Sequence, residues 1–294
     1  MTYIDVAHMV QALHLGFDID AITHLYSEPT LVIDTSFGAT VGVIGHSPLY
    51  EADSRSHVEL LQPHIAQVID EAGLQPQDIQ RIVVGTGPAP FTGLRAGIVA
   101  ARALAFSTGA ELLGMNVLEV QSNWNRLEQA NMSQFEQPVG TIIARHITLA
   151  VNDARRKQLY YAAYDEAGNE LLPMNIAAAT DIAQELRTVC DKRGWLDPDV
   201  HVVVDIIGRG AHKYASAWDM LPVGEIREES VLHNAGPAGL AIFAASALAH
   251  QAKGDDVSTD PLYLRRPDVT IPAPNKHVLG QTSISMKVGE GVEH

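Results

Sequence analysis

Three stretches of this chain hold side chains of the kind that carry chemistry. The first is Asp34-Thr35-Ser36, a carboxylate and two hydroxyls at the end of an apolar run. Such a group can orient a metal-bound phosphate; it can equally close an Asx-type turn on its own backbone. The second is the glycine-containing turn at Gly208 and Gly210. It follows another apolar run and could face a nucleotide, although two glycines after a strand occur in many turns that bind nothing. The third is the pair His57 and His64. On one helix they stand about 10 Å apart along the axis, too far to share a metal ion, and the position one turn on from His57 holds Leu61. Cys190 is the only cysteine and lies near the end of a helical pattern, which reads as a buried, inert thiol. No His-Glu-x-x-His spacing is present to support a metallopeptidase.

The elements that must position these groups are organised around residues 81–109. Ile82, Val83 and Val84 form a β-branched run suited to a strand buried on both faces. Gly85, Gly87, Pro88 and Pro90 are expected to turn the chain, Thr92 to cap a helix, and Gly109 to end it. Gly97, Ala101 and Ala105 recur every fourth residue on one face of that helix. Such a smooth helix wants close neighbours: its own sheet, and another helix that could come from a second chain. A Gly-rich turn opening a helix suits an anion. Against the P-loop pattern, however, the spacing from Gly87 to Gly93 is one residue too long, and Leu94-Arg95 stands where Lys-Ser/Thr is needed. Pro88 and Pro90 lack N–H donors, so a rigid strand-to-helix elbow is the better reading.

Residues 31–44 read as a β-hairpin with its tip at residues 34–38. Residues 56–72 read as a second helix, with Ser56 and Glu59 as a capping box, an apolar face from Leu60 to Ala72, and Pro63 placed to kink it. Further strands are expected at 111–117, 139–151, 157–165 and 200–207, with helices at 118–129, 181–192 and an Ala-rich one at 236–253. The chain divides into an N-terminal extension (1–29), a first α/β lobe (30–135, completed by 236–266), a second lobe (136–235) and a polar tail (267–294).

At 294 residues the chain has room for two domains, and 46% hydrophobic with 19% charged residues describes a globular protein. A net charge of −15 argues against gripping a nucleic-acid backbone alone. The single cysteine fits a reducing cytoplasm. No apolar run approaches the roughly 20 residues of a membrane span, and no basic-then-apolar signal pattern opens the chain.

These pieces, in this order, resemble the TsaB (YeaZ) family. The matching stretches are VIDTS (32–36), SRSHVELLQP (54–63), GTGPAPFTGLRAGIVAARALA (85–105), NDARRKQLYYAAYDEAG (152–168) and PLYLRRPDV (261–269). Two departures stand out. Ala89-Pro90 replaces the family's usual Gly-Ser in the elbow, and the arm before Leu31 has no counterpart.

The resemblance implies a two-lobed actin-like ATPase (ASKHA) fold of related α/β lobes, with the Ala-rich helix packing back on the first. It also implies a non-catalytic partner of TsaD, which transfers a threonylcarbamoyl group to the adenosine beside the anticodon of certain tRNAs; TsaE, an ATPase, joins the assembly. In the family two first-lobe helices hold either TsaD or a second TsaB. Here that surface would carry His57, Leu60, His64 and Val68 on one helix and Arg95, Ile98, Val99 and Arg102 on the other. No cofactor is implied for the chain alone, though ATP or ADP could sit at the complex interface, and tRNA would be met only through the complex. The alternative is an ATP-dependent enzyme of the sugar-kinase type, with Asp34 and Ser36 toward phosphate and Gly208 and Gly210 toward the nucleotide.

Overall fold

The computed structural model describes residues 25–52, 57–135, 145–228 and 234–265. The expected N-terminal arm up to residue 24, the cap at Ser56, the join near 136–144 and the tail beyond 265 lie outside them.

Two five-stranded sheets are built to one plan. In the first, β1 (Thr30–Asp34), β2 (Ala39–Val43) and β3 (Leu49–Glu51) form an antiparallel meander. Helix α1 (His57–Glu71) leads to β4 (Arg81–Gly87), parallel to β1, and α2 (Phe91–Thr108) leads to β5 (Glu111–Asn116), parallel to β4. The order is β3-β2-β1-β4-β5. After α3 (Val117–Phe135), the second sheet repeats the scheme. Strands β6 (Arg145–Asp153), β7 (Leu159–Tyr164) and β8 (Glu170–Ala177) form the meander; α4 (Ala179–Lys192) precedes β9 (Val202–Ile207), and a 3-10 turn (His212–Ala217) precedes β10 (Val223–Arg227). Its order reads β8-β7-β6-β9-β10. Helix α5 (Pro237–Lys253) then closes back on the first half.

Burial explains the layers. Strand β1 is buried along its whole length, as a central strand covered on both faces must be. One face of the first sheet packs Leu31, Ile33 and Val41 against Leu61, Ile65 and Val68 of α1 and Ile98 and Ala101 of α2. The other packs Val32, Val83 and Met115 against α3 and the apolar run of α5, including Leu240, Phe243 and Ala244. Inside that apolar contact Asn123 donates to Ser246 Oγ at 3.0 Å, so the buried polar pair is satisfied. In the second half Ile147, Leu149 and Tyr161 meet Ile182, Leu186, Cys190 and Trp218.

Several expectations need correcting. Strand β4 does not stop at Gly85; it runs to Gly87 and bulges between Gly85 and Gly87 against β5. Gly85 is there for space, since a Cβ would meet Asp34 Oδ1 at 2.1 Å. Thr92 does not cap α2: the N-cap is Pro90, without a side-chain bond, because a proline's fixed φ already suits the helix entry. Gly109 ends the helix in the left-handed conformation, as expected. Helix α3 starts a residue earlier than expected and runs longer; Asn116 Oδ1 accepts from Leu118 N at 2.9 Å and so opens it. Strands β8 and β10 had no clear sequence signal. Pro63 stands inside α1 on its exposed side, where the unbonded carbonyl of Glu59 can be hydrated.

Candidate functional site

The turns after β1, β4, β6 and β9 face one another across a cleft between the sheets, the place where open α/β sheets admit ligands. The cavity is about 740 Å³ and is walled by the β1–β2 turn, the elbow, the β6–β7 turn, Arg209 and residues 263–265. Ser36 and Arg209, far apart in sequence, thus line one cavity, whereas Asp34, Gly208 and Gly210 are not among its lining residues.

Asp34 lies buried beneath the β1–β2 turn and accepts from Ser36 N at 3.1 Å. Burial pushes its carboxyl up to about 6, against the lowering effect of hydrogen bonds from Ser36 and Thr35. Across the cleft Asp153 accepts from Arg155 N at 2.8 Å and pairs with Lys213 Nζ at 2.7 Å. Burial alone would raise Asp153, but the bonds from Lys213 and Arg155 outweigh it and hold the carboxyl below its usual range.

The β6–β7 turn places Arg155, Arg156 and Lys157 consecutively in left-handed backbone, with φ of 61°, 52° and 60°. Each costs about 1 kcal/mol or more for an L-residue. Ala154 N→Gln158 O at 3.0 Å and Gln158 N→Arg155 O at 3.0 Å hold the turn in place. Arg155, Arg156, Arg209 and Arg265 all line the cavity. The Arg209 guanidinium lies 3.9 Å from the centroid of the Phe37 ring, and Tyr160 OH donates to Ala89 O at 3.4 Å.

A magnesium nucleotide does not fit these residues in the manner of an ATPase. The backbone donors that a phosphate would take after β9 are committed: Gly210 N donates to Glu228 Oε1 at 2.7 Å and His212 N to Oε2 at 3.0 Å. The β6–β7 turn offers arginine side chains where close backbone approach would need glycine. Arg155, Arg156, Arg209 and Arg265 line the cleft instead.

The second feature is the outer side of α1 and α2. Gly97, Ala101 and Ala105 face inward, and a Cβ on Gly97 would meet Thr35 Oγ1 at 2.3 Å. The smooth stripe therefore seats α2 on its own sheet at the β1–β2 turn, the first of the two neighbours expected for it. Arg95, Val99, Arg102 and Phe106 point outward; Val99 is 64% and Phe106 94% exposed. Arg102 pairs with Asp260 at 2.7 Å and donates to Thr259 Oγ1 at 2.9 Å. Arg95 donates to Tyr263 OH at 2.5 Å and lies 3.8 Å over the Phe91 ring.

The model of the tRNA N6-adenosine threonylcarbamoyltransferase (TsaD) family matches residues 49–190. Two crystal structures from Pseudomonas aeruginosa share the fold at 22% identity, each covering 81% of this chain and 100% of its own. YeaZ superposes with a TM-score of 0.52, and a protein described as similar to peptidase YEAZ with 0.55. An uncharacterised protein of Mycobacterium tuberculosis is 31% identical over 245 residues, spanning 81% of this chain and 92% of that protein. The chain belongs to one family with that mycobacterial protein; its residues 49–190 are similar to the TsaD family, and its fold is that of YeaZ.

Of the residues matched to the TsaB partner surface, Val68 and Ile98 are core side chains, 1% and 3% exposed, and offer a partner nothing. Leu60 and His64 are half-buried on α1, while the side chain of His57 lies outside the described residues. Arg95 and Arg102 are exposed but already engaged by residues 259–263. Sequence reasoning missed Phe106, one heptad beyond Val99 on the same face, and the cleft arginines. The signal for the latter lay in NDARRKQ and PLYLRR, which carry Arg155, Arg156 and Arg265. Among the described residues no group of three His, Cys, Asp or Glu is placed to hold a metal ion, and no helix is long and apolar enough to cross a membrane.

Proposed function

We propose that this chain is a non-catalytic scaffold subunit of tRNA threonylcarbamoyladenosine biosynthesis, working in the cytoplasm. It pairs through α2 and the adjoining part of α1 with a TsaD homologue, or with a second copy of itself, and TsaE joins the same assembly. The observation that carries this reading is the outward stripe of α2. Val99 and Phe106 are the two most exposed large apolar side chains among the described residues, and both lie on this helix. A nearly naked Phe beside an exposed Val is costly to leave in water and typical of the anchor that fills a partner's pocket. Transfer chemistry and tRNA contact fall to TsaD, in keeping with the acidic charge of this chain.

The test is co-purification of the full chain with its TsaD homologue, followed by a threonylcarbamoylation assay. Phe106→Asp is expected to abolish the complex and the stimulation of modification. Met220→Asp, at an exposed apolar residue on the other half, is expected to leave both intact. Retention of the complex by folded Phe106→Asp rejects the assignment of α2. Modification of tRNA by this chain alone rejects the non-catalytic role.

A further inference from the structure

The closing segment, residues 255–265, runs from the end of α5 along the outer edge of α2 and into the cleft. It is fixed point by point. Asp255 Oδ2 meets His250 Nδ1 at 2.9 Å, and Val257 O accepts from Gly114 N at 2.8 Å. Thr259 and Asp260 hold Arg102. Leu262 N donates at 2.9 Å to Thr86 O, in the bulge of β4. The Tyr263 ring stacks on Phe91 with centroids 5.0 Å apart, and its hydroxyl accepts from Arg95. All of these anchors belong to the first half. Leu264 then packs against Ala150, Ala154 and Tyr160 of the second half, and Arg265 donates to Gln158 Oε1 in its β6–β7 turn.

We propose that this strap couples the spacing of the two halves to the face that α2 turns outward, with Tyr263 and Arg265 as positioning residues. The inference rests on the reading of α2 as the partner face. Two residues of backbone, at most about 7 Å from Cα to Cα when extended, join the residue whose ring is seated on α2 to the one whose guanidinium reaches the other half. A change in cleft width beyond the slack of that span either breaks the Arg265–Gln158 bond or pulls Tyr263 off Phe91 and Arg95. Packed aromatic and guanidinium contacts of this kind switch between seated and released rather than stretching. Release uncovers an aromatic ring and a cation at the end of the Val99–Phe106 stripe, changing what a partner meets. A group that widens or fills the cleft therefore acts on a surface it never touches.

Hydrogen exchange on the isolated full chain tests the coupling without any partner. Gln158 lies on the far wall and is neither on the strap nor on α2. Gln158→Ala and Arg265→Ala are each expected to speed exchange of the amides at residues 95–102 by about threefold or more. The double variant is expected to add nothing further, because both remove one bond. Wild-type exchange on α2 in Gln158→Ala, or additive effects in the double variant, overturns the proposal. A second arm measures affinity for the TsaD homologue. Tyr263→Ala is expected to shift it and Val99→Asp to abolish it. If Val99→Asp binds normally, the partner-face reading fails, while the exchange result still decides whether the strap couples the halves.

Discussion

Asp34 and Asp153 hold the same place in the two sheets. Each is the last residue of the first strand of its meander, and each accepts the N–H of the second residue after it, Ser36 at 3.1 Å and Arg155 at 2.8 Å. Their electrostatics have diverged. Asp153 has Lys213 as a counter-ion, whereas Asp34 makes no salt bridge among the described residues and sits deeper.

The lone buried carboxyl makes stability depend on pH. With its pKa raised from 3.8 to about 6, the folded state binds the Asp34 proton more tightly than the unfolded chain does. Stability from this group is full below about 4, falls through pH 4–6 and stays low above. Asp34→Asn is therefore expected to stabilise the protein at pH 7.5 by on the order of 2 kcal/mol, with the gain vanishing near pH 4. Urea midpoints at the two pH values check it; an equal effect at both rejects the assignment.

His250 works in the opposite sense. Its Nε2 meets Glu119 Oε1 at 2.6 Å and its Nδ1 meets Asp255 Oδ2 at 2.9 Å. The bond to Glu119, against opposing desolvation and with help from Asp255, raises it from 6.5 to about 9. A raised folded value means that its stabilisation is complete below pH 6.5 and is lost as pH climbs through about 9. His250→Gln is expected to flatten that fall, as read from thermal midpoints between pH 6 and 9.5.

Gly97 reverses an ordinary helix rule. Replacing a mid-helix glycine with alanine normally gains up to about 1 kcal/mol. Here the new Cβ would stand 2.3 Å from Thr35 Oγ1. Gly97→Ala is expected to cost about 1–3 kcal/mol instead, and Thr35→Ala in the same chain to recover part of it. Chemical denaturation of the three variants reads the sign directly.

Ile98 and Val99 are neighbours in different surroundings, one in the core and the other exposed. Ile98→Val should lower stability by about 0.5–1.5 kcal/mol while leaving affinity for the TsaD homologue unchanged. Val99→Ala should do the reverse, sparing stability and weakening the complex. Paired denaturation and titration experiments separate the two, and a shared effect on both readouts would merge them.

What was legible in the sequence was whatever has a short-range cause. The buried run at Ile82–Val84, the left-handed stop at Gly109, the hairpin at Asp34 and the order of elements all follow from local preference or alternation. The reason for Gly85 was not legible, because it lies in Asp34, across a neighbouring strand. Nor was the sidedness of α2 readable from composition. Small residues mark a close approach without naming the neighbour, and here that neighbour is Thr35. The arginine-lined cleft gathers side chains from three separate segments, which only the tertiary arrangement brings together.

The repeated strand plan is broken at one point. Where the first half inserts α2 between its last two strands, the second has only the 3-10 turn His212–Ala217. A molecule carrying the same docking helix at both ends could add copies indefinitely and grow into a filament. With the helix kept in one half alone, the proposed partner face would offer a single socket, for which a second copy and an unlike partner are expected to compete.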